Sequence, residues 1–460
     1  MGSNLVEWGD FNSLISHKLE HQKRPVFIFI SSQDSKLSLK MEKDIFSDRD
    51  IANILNREFR PVKIDRYIET DLFKYYRGVY KLINRKEANE PILIFTTDKL
   101  EPFYASGYLQ KETKEKVLGF KELLNIILDR CKNEKDILVE NGREILEHLN
   151  RTKSTIQATK FDLDILNKTV KDHIDNLFDH EYGGFGDDIK FLNSSVLDLM
   201  LSLDRDIRDK ALFTLKSMVK SGIYNRDDKR FYRYGLFNWD FATNESLNYQ
   251  NALLAKIYIK AFELTKEKLY RDIAIDIIDR VKLRDITSLD SIVIDSIFSI
   301  SRVDSRYTDM GIKYIDNILE KRYINRELYH TDNIKGFLED YAYLSLALIN
   351  AYKISDNGDY LIFSQNILNL AIEKFYKGGR WLFSNRKVDI YEDIYDIDYP
   401  SSIAIILDVM EEIMGFVEED YSSIISRTLQ VNSYSLMRQP LSTPHTTKIL
   451  FQYLNRGGIC

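Results

Sequence analysis

The chain has 460 residues, of which 44% are apolar, and this length predicts two or three domains with cores of their own. Glycine (19 residues) and proline (7 residues) are scarce, which favours ordered, mostly helical structure over linkers. The formal net charge is −6, with both signs interspersed and no basic tract, so the composition argues against nucleic-acid binding.

Neither a secretory signal nor an apolar span of membrane length is recognisable, which predicts a protein that does not associate with membranes. The two cysteines, Cys131 and Cys460, are far apart in the sequence and do not suggest a disulfide framework. We therefore expect a cytoplasmic location. The seven histidines show no spacing typical of metal ligands, and we predict neither a metal site nor a cofactor.

The first part of the chain alternates between short apolar runs rich in β-formers and longer helical patterns. This order of elements is typical of a thioredoxin-like α/β domain, which we predict for residues 1–132. That fold carries a cis-proline at the start of its third strand, and Pro91 holds this position. The predicted elements are helix 10–23, strand 25–32, helix 36–59, strand 60–66, helix 67–80, strands 91–98 and 101–109, and helix 119–132.

The turn between the first strand and the next helix carries the chemistry of a thioredoxin. It holds a Cys-x-x-Cys pair whose first thiol ionises at the helix N-terminus. In this sequence Ser35 and Ser38 stand at the two redox positions. A serine hydroxyl does not ionise near neutral pH without a dedicated base, so we predict no disulfide oxidoreductase activity. The structural interpretation is that Asp34 or Ser35 caps the helix.

Helical patterns fill the rest of the chain, first in a charged connecting segment at 133–160 and then in twelve successive helices within 161–460. Short connections pair these helices into six hairpins, which predicts an all-α (α/α)6 toroid, with a helical-repeat solenoid as the alternative. Aromatic, glycine-bearing loops interrupt the pattern at 181–186, 223–241 and 376–385. The predicted helices are 162–179, 193–203, 205–221, 246–265, 267–283, 288–303, 306–321, 335–354, 358–374, 400–413, 417–431 and 442–455.

Several short motifs follow one another in an order shared with a known family. They are 41-MEKDIF-46, 63-KIDR-66, 183-GGFG-186, Lys190-Phe191, 222-GIY-224, 231-FYRY-234, Trp239, 249-YQNALL-254, 337-FLEDYAYL-344, 378-GG-379 and 400-PS-401. On these motifs, which cover nearly the whole chain, the sequence resembles the thioredoxin-domain-containing proteins related to a spermatogenesis-associated protein. The resemblance implies a thioredoxin-like domain joined to a six-hairpin toroid akin to those of sugar epimerases and glycosidases.

The sequence departs from this family where chemistry would be expected. The family's CHWCH-type turn is replaced by residues 35–39, Asn225 stands for an acid, and Thr243 stands for a histidine. An acidic loop of the family is missing between about 283 and 288, and its WNG motif is not recognisable in 288–300. These losses identify a degenerate member.

The resemblance also implies a site at one rim of the toroid, because sugar-directed enzymes combine aromatic platforms with a carboxylate pair. We take Glu245 and Asp340 as candidate acid and base, and we predict that both converge on one cavity with Tyr234 and Trp239. Each candidate also has a structural interpretation, as a packing ring, a helix-end acid or a buried hydrogen-bonding group. The ligand-binding candidates are Tyr234, Trp239, Tyr249, Asn251, Tyr341 and Trp381.

Two functions from different classes compete. The lost thiols, histidine and acidic loop favour a pseudoenzyme that binds a protein partner or a carbohydrate-like ligand. The alternative is a residual epimerase- or glycosidase-like enzyme that uses Glu245 and Asp340. An open, carboxylate-lined cavity would support the enzyme, whereas an apolar plug would support a scaffold, and likeness of fold alone does not decide between them.

Overall fold

The structure is a computed structural model that describes residues 5–11, 23–88, 90–151, 159–386 and 389–456. Contacts between Cα atoms divide the chain into two compact units, Met1–Thr155 and Ile156–Cys460. Nearly all of the predicted helix 10–23 lies outside the described residues. Within the described ranges, no helix is both long enough and apolar enough to cross a bilayer.

The first unit contains a four-stranded sheet and confirms the thioredoxin-like arrangement of elements. Its strands are ordered β2-β1-β3-β4, with β1 parallel to β2 and antiparallel to β3, and β4 antiparallel to β3. The elements are β1 (Val26–Ser31), α1 (Lys36–Asp44), α2 (Arg49–Glu58), β2 (Arg60–Asp65), α3 (Thr70–Asn84), β3 (Ile92–Thr96), β4 (Pro102–Ser106), α4 (Phe120–Asn133) and α5 (Lys135–Arg151).

Every residue of β1 is buried because the sheet carries a core on each face. Phe27 and Phe29 pack with residues of α1, α2 and α4, whereas Ile28 and Ile30 pack with residues of α3. This alternation is the period of two that a strand imposes on its side chains. The continuous apolar run of the sequence thus reflects a strand buried on both sides.

The predicted helix 36–59 is in fact two helices. Helix α1 ends at Asp44, and α2 begins at Arg49 with Asp48 as its N-cap. The Asp48 carboxylate accepts hydrogen bonds from the backbone N–H groups of Asp50 and Ile51, at 3.0 and 3.1 Å. This cap starts a new helix inside a segment whose apolar pattern reads as continuous.

A buried polar cluster lies next to the start of β3. The Glu90–Pro91 peptide bond is cis, at the position where the sequence predicts a cis-proline. The Glu90 carboxylate pairs with Arg66, which follows β2, at 2.5 Å and accepts a hydrogen bond from the Ser32 hydroxyl, which follows β1, also at 2.5 Å. The cluster therefore ties together the ends of two strands and the segment that enters a third.

The second unit is helical, and its helices match the twelve predicted ones apart from their ends. The predicted helix 267–283 ends earlier, at Ile278, and one short further helix follows Asn432. The helices are α6 (Leu163–Leu177), α7 (Ser194–Ser202), α8 (Arg205–Lys220), α9 (Asn248–Thr265), α10 (Lys268–Ile278), α11 (Thr287–Ser301), α12 (Arg306–Arg322), α13 (Leu338–Ser355), α14 (Gly358–Phe375), α15 (Ser402–Ile413), α16 (Ser422–Val431), α17 (Ser433–Arg438) and α18 (Pro444–Asn455).

Six helices in the described part of this unit form an inner ring, in which each helix packs against the one before and the one after it. In order around the ring they are α7, α9, α11, α13, α15 and α18. Helix α18 also packs against α7, so the ring is closed. A solenoid would leave its first and last helices apart. The closure confirms the predicted (α/α)6 toroid and removes the solenoid alternative.

The inner helix α11 shows how polar residues fit inside this ring. Every residue from Thr287 to Ser301 is buried, which is the behaviour of a helix covered on all sides. Four of its five serines donate hydrogen bonds to carbonyl groups about one turn earlier, for example Ser291 to Thr287 at 2.6 Å and Ser296 to Ile292 at 2.9 Å, and the fifth, Ser288, donates to Glu339. The carbonyl bonds satisfy four of these hydroxyl groups within the helix itself.

Short β-ribbons lie in several of the loops between the helices. The predicted loop 223–241 contains the hairpin of β6 (Tyr224–Asn225) and β7 (Arg230–Phe231), followed by β8 (Tyr234–Leu236). Strand β8 pairs with β5 (Ile189–Phe191) from the preceding loop. The remaining ribbons are β9 (Tyr323–Ile324), β10 (Glu327–Thr331) and β11 (Ile334–Lys335), and β12 (Tyr376–Lys377), β13 (Arg380–Ser384) and β14 (Ile390–Tyr391).

Candidate functional site

The former redox turn is a helix cap. Ser35 is the N-cap of α1, and its hydroxyl accepts a hydrogen bond from the backbone N–H of Ser38 at 3.2 Å. Of the two capping candidates, Asp34 and Ser35, the structure therefore selects Ser35. Ser38 is fully buried. Both serines thus serve the helix and the core.

The purified protein is expected to show no turnover in an insulin disulfide-reduction assay, because neither Ser35 nor Ser38 can supply a thiolate. Cys131 is not a substitute, since burial raises the pKa of its thiol to about 11. A thioredoxin assayed in parallel provides the positive control. Reduction of insulin by a variant carrying both Cys131→Ala and Cys460→Ala would contradict this expectation.

Trp239 lies in the core of the second unit and not at a surface open to a ligand. Its side chain is 1% exposed, and its indole N–H donates to the carbonyl groups of Tyr182 and Gly183 at 3.0 and 3.1 Å. Gly184 packs directly on the ring, because a Cβ there would lie 2.4 Å from the Trp239 Cζ2 atom. The GGFG and tryptophan motifs of the sequence therefore form one packing unit.

Three further candidates are also buried and bonded within the chain. The Tyr341 hydroxyl donates to Glu327 at 3.2 Å, and the Trp381 indole donates to the Thr428 hydroxyl at 3.2 Å. The Asn251 side chain accepts from the backbone N–H of Phe231 at 2.7 Å and donates to its carbonyl group at 3.0 Å. Their contacts support the structural interpretation, in which these residues pack and form hydrogen bonds inside the unit.

Asp340 has the contacts of a buried hydrogen-bonding group, which is the structural interpretation of this residue, and its role as an acid or base stays a prediction. It is fully buried and accepts hydrogen bonds from the backbone N–H groups of Ser288, at 2.9 Å, and Phe337, at 2.7 Å. Its oxygens also lie 2.9 and 3.0 Å from Nδ1 of His330. Because Ser288 belongs to α11 and Phe337 precedes α13, Asp340 joins the beginnings of two inner helices.

Glu245 is held by other partners. Its carboxylate pairs with Arg233 at 3.2 Å, and its carbonyl group accepts a hydrogen bond from the Arg233 N–H at 2.7 Å. The convergence of Glu245, Asp340, Tyr234 and Trp239 on one cavity therefore stays a prediction. Tyr234, which is half-buried, has its ring 5.6 Å from that of Phe191 on the paired strand β5.

Tyr249 is the candidate that approaches the Glu339–Asp340 segment. Its ring centroid lies 5.4 Å from that of Tyr399, whose hydroxyl donates to Glu339 at 2.9 Å. The Tyr399 ring also contacts Tyr343, at 5.8 Å. The beginnings of α9 and α13 are thus linked by a cluster of tyrosines around one carboxylate.

One group of residues has the composition of a metal site, which the sequence spacing does not reveal. Ligand atoms of His330, Glu339 and Asp340 lie within 4.8 Å of one another, and all three residues are buried. However, Asp340 already binds His330 and two backbone N–H groups, and Glu339 accepts from Ser288 and Tyr399. A cation would have to displace these bonds, so we interpret the group as a hydrogen-bonded structural cluster.

The site that sequence reasoning missed is a cavity inside the inner ring. Its volume is about 370 Å³, and all six helices of the inner ring line it, together with Pro400 before α15. We call this space the axial cavity. Its charged lining residues are the bases Lys256, Lys260, Arg302, Lys353 and Lys448 and the acids Asp198, Glu263, Asp295, Asp408 and Glu412.

Acidic and basic helices alternate around the axial cavity. Apart from the Arg302–Glu263 pair at its edge, helices α7, α11 and α15 present carboxylates, and the helices between them present lysine, asparagine or histidine side chains. Each junction between neighbouring helices is bridged by a hydrogen bond, and we call these six bonds the polar ring. They are Asp198–Lys260, Lys256–Asp295 at 2.7 Å, Asp295–Asn350 at 2.6 Å, Lys353–Glu412 at 2.6 Å, Asp408–His445 at 3.0 Å and Lys448–Asp198 at 2.7 Å.

The polar ring shifts the ionisation of its members. Burial opposes the charge of Asp198, but Lys448 and Lys260 outweigh burial and hold the pKa of Asp198 well below its usual value. Burial likewise opposes the charge of Lys448, yet Asp198 and Asp408 raise the pKa of this lysine. In Lys260 burial dominates and lowers the pKa, although Asp198 offsets part of the effect. The ring is therefore made of charges that depend on one another.

The sequence does contain a signal for this cavity. Polar residues recur every three or four positions along otherwise apolar helices, such as Asp295, Ser299 and Arg302 on α11 and its end, and Asn350 and Lys353 on α13. Such a stripe points to one side of a helix. In helices that are buried on every side, a polar stripe indicates a shared internal space and not a solvent-facing surface.

Comparisons with known proteins found matches to the thioredoxin-like unit and to the toroid. Residues 1–150 match the family model Thioredox_DsbH, described as a protein of unknown function, DUF255. Spermatogenesis-associated protein 20 from Homo sapiens is 27% identical over 292 residues, which are 60% of this chain and 37% of that protein. The protein of the same name from Rattus norvegicus is 26% identical over the same shares. The match thus spans little more than a third of the length of these relatives.

Solved structures match the toroid. Cellobiose 2-epimerase from Bacillus thermoamylovorans has a TM-score of 0.51 and 11% identity, covering 63% of this chain and 98% of its own. A sugar epimerase from a ruminal bacterium has a TM-score of 0.52 and 10% identity, covering 64% of this chain and 99% of its own. At these identities the likeness shows the fold alone. Residues 1–150 thus match the Thioredox_DsbH model, and the chain is similar to spermatogenesis-associated protein 20 over 60% of its length. Its fold joins a thioredoxin-like domain without the cysteine pair to an (α/α)6 toroid.

Proposed function

We propose that this protein is a redox-inactive binding protein whose toroid holds a small, polar, carbohydrate-like ligand in the axial cavity. The observation that carries the proposal is the cavity itself, about 370 Å³ in volume and lined by polar side chains from the whole inner ring. This volume lies in the range of small-molecule sites. Hydroxyl, amide and charged groups such as Ser299, Asn350 and Lys256 offer the donors and acceptors that a polyol requires.

The contacts of the predicted catalytic pair favour binding over catalysis. Both oxygens of Asp340 are bonded to backbone N–H groups and lie beside His330, and Glu245 is paired with Arg233. A general acid or base must reach a substrate proton directly or through one water molecule. Groups that hold the ends of helices in place are poorly suited to that role.

We also propose that a protein partner binds to the thioredoxin-like unit. Leu37 and Leu39, in the first turn of α1, are 45% and 47% exposed. Both leucines lie at the turn where a thioredoxin carries its cysteine pair. A partner would therefore bind this turn by apolar contact and not by a thiol reaction.

Residual catalysis is the second candidate, and two observations favour it. The first is that carboxylates line the axial cavity, as expected of an enzyme of this fold, and the second is a histidine among them. His445 lines the axial cavity, and its Nε2 atom lies 3.0 Å from the Asp408 carboxylate. A histidine oriented by a carboxylate is a common general base. If this pair is active, incubation of the protein with mannose, glucose or cellobiose should change the sugar, which NMR spectroscopy would detect.

The proposed binding is tested by thermal shift on the full chain with mannose, glucose and cellobiose. A ligand that binds only the folded state raises the melting temperature in a saturable, concentration-dependent manner. Leu253→Trp should abolish the shift, because Leu253 lines the axial cavity and a larger side chain fills it. Leu269→Trp is the matched control on α10, where Leu269 is 39% exposed. An unchanged shift in Leu253→Trp would place the ligand elsewhere.

A further inference from the structure

The charges that line the axial cavity cancel. Five basic and five acidic side chains line it. The five bases pair within 3.2 Å with four of the acids, since Asp198 takes both Lys260 and Lys448, and the fifth acid, Asp408, is bonded to His445 at 3.0 Å. Each charged side chain that lines the cavity therefore already has a partner within the described residues, so an arriving charge must compete with an existing bond. The cavity offers hydrogen bonds in both directions instead.

A charged ligand would be penalised in such a cavity. A phosphate or carboxylate that leaves water loses its hydration and gains nothing comparable unless it breaks an existing ion pair. An uncharged hydroxyl group faces a much smaller loss, because it can donate to a carboxylate and accept from an ammonium group at the same time. The polar ring thus discriminates by charge.

Exposure within the lining indicates where a ligand enters. Asp295, in the middle of α11, is 4% exposed, whereas Arg302, immediately after this helix, is 48% exposed. Arg302 pairs at 3.2 Å with Glu263, which lies in the last turn of α9 and is 38% exposed. The cavity therefore meets solvent at the C-terminal ends of these inner helices, away from the Asp340 cluster at their beginnings.

We propose that the axial cavity selects uncharged polyhydroxylated molecules, such as free sugars without phosphate or carboxylate groups, and admits them past the Arg302–Glu263 pair at the C-terminal ends of the inner helices. This inference rests on the proposed function and narrows its ligand class.

The first experiment compares neutral and anionic sugars on the full chain by isothermal titration calorimetry, at constant ionic strength. The probes are glucose and mannose against glucose 6-phosphate and glucuronate. We expect the anionic probes to bind at least about tenfold more weakly than the neutral ones, because their charge must compete with an existing bond in the cavity.

A charge variant makes the selection testable in the opposite direction. Arg302→Met leaves Glu263 without its partner at the cavity entrance, so the lining carries one net negative charge. This variant should bind glucosamine, at slightly acidic pH where its amine is charged, more tightly than glucose, whereas the wild type should not. Arg271→Met is the matched control, since Arg271 pairs with Asp272 on the outer helix α10. Circular dichroism verifies that both variants are folded.

The outcomes separate this inference from the proposed function. Binding of glucose 6-phosphate or glucuronate as tight as that of glucose overturns the selection by charge and leaves ligand binding intact. If Arg302→Met prefers glucosamine no more than Arg271→Met does, the proposal that ligands enter past the Arg302–Glu263 pair is wrong. No saturable binding of any probe overturns the proposed function together with the inference.

Discussion

Asp198→Ala is expected to lower the free energy of unfolding by about 2–4 kcal/mol, because it removes the counter-charge of two partly buried lysines. Asp198 is 16% exposed and pairs with Lys260 and with Lys448, at 2.7 Å to the latter. It is the member of the polar ring that joins α7 to both of its neighbours. Urea unfolding followed by circular dichroism should show the transition of the helical unit at a lower urea concentration.

The matched control is Asp209→Ala, on the outer helix α8. Asp209 is 62% exposed, and its partner Arg205, four residues earlier, lies 3.7 Å away. This change should alter the free energy of unfolding by no more than about 0.5 kcal/mol. Equal effects of the two substitutions would mean that the polar ring contributes no more than a surface ion pair.

Acid provides an internal check on the same variant. The pKa of Asp198 is lowered in the folded protein, so its stabilising contribution is present above the unfolded-state pKa of about 3.9 and is lost as the pH falls toward the folded-state pKa. The difference between wild type and Asp198→Ala should therefore be constant near neutral pH and shrink below about pH 4. A difference that stays constant in acid would show that lost packing, and not lost charge, causes the effect.

Asp340→Asn is expected to lower the free energy of unfolding by about 2–4 kcal/mol, although it preserves the shape of the side chain. The two oxygens of Asp340 accept from the backbone N–H groups of Ser288 and Phe337, one on each oxygen. An amide can accept on one side only and must turn its NH2 group toward a donor on the other. One buried backbone N–H is then left unsatisfied.

Asp309→Asn is the control for this substitution. Asp309 is exposed in the first turn of α12, where its charge favours the helix dipole, so its loss should cost only about 0.3–1 kcal/mol. An Asp340→Asn protein as stable as wild type would contradict the structural interpretation of Asp340, because a carboxylate that satisfies two buried N–H groups does not tolerate the change. Urea unfolding of both variants decides the question.

Much of the fold is predictable because it is written in local patterns. The twelve helices follow from apolar periodicity, and the absence of a redox cysteine pair is read from Ser35 and Ser38 alone. The break between α1 and α2 is missed because both sides share one apolar face, and only the Asp48 cap separates them. A cap depends on backbone geometry that the hydrophobic pattern does not record.

The candidate site is less predictable because its parts are distant in sequence. Asp198 and Lys448 are separated by 250 residues and meet only when the ring closes. Aromatic residues such as Trp239 and Trp381 suit a ligand platform and a core equally well, and only their indole partners distinguish the two. Sequence reasoning chose the conspicuous aromatic loops over single lysines and aspartates in apolar helices, and the cavity lies among the latter.

The ion pair between Lys448 and Asp198 also has a consequence for the order in which the protein folds during its synthesis. A chain emerges from the ribosome N-terminus first, so α7 is synthesised long before α18. The ion pair between Asp198 and Lys448 can form only after Lys448 has been synthesised. Contacts between such distant segments form late, because closing a long loop costs entropy before any contact compensates for it. The nascent toroid therefore remains an open arc with an unfinished seam until translation has passed α18, and the thioredoxin-like unit, which precedes it, can be complete well before that moment.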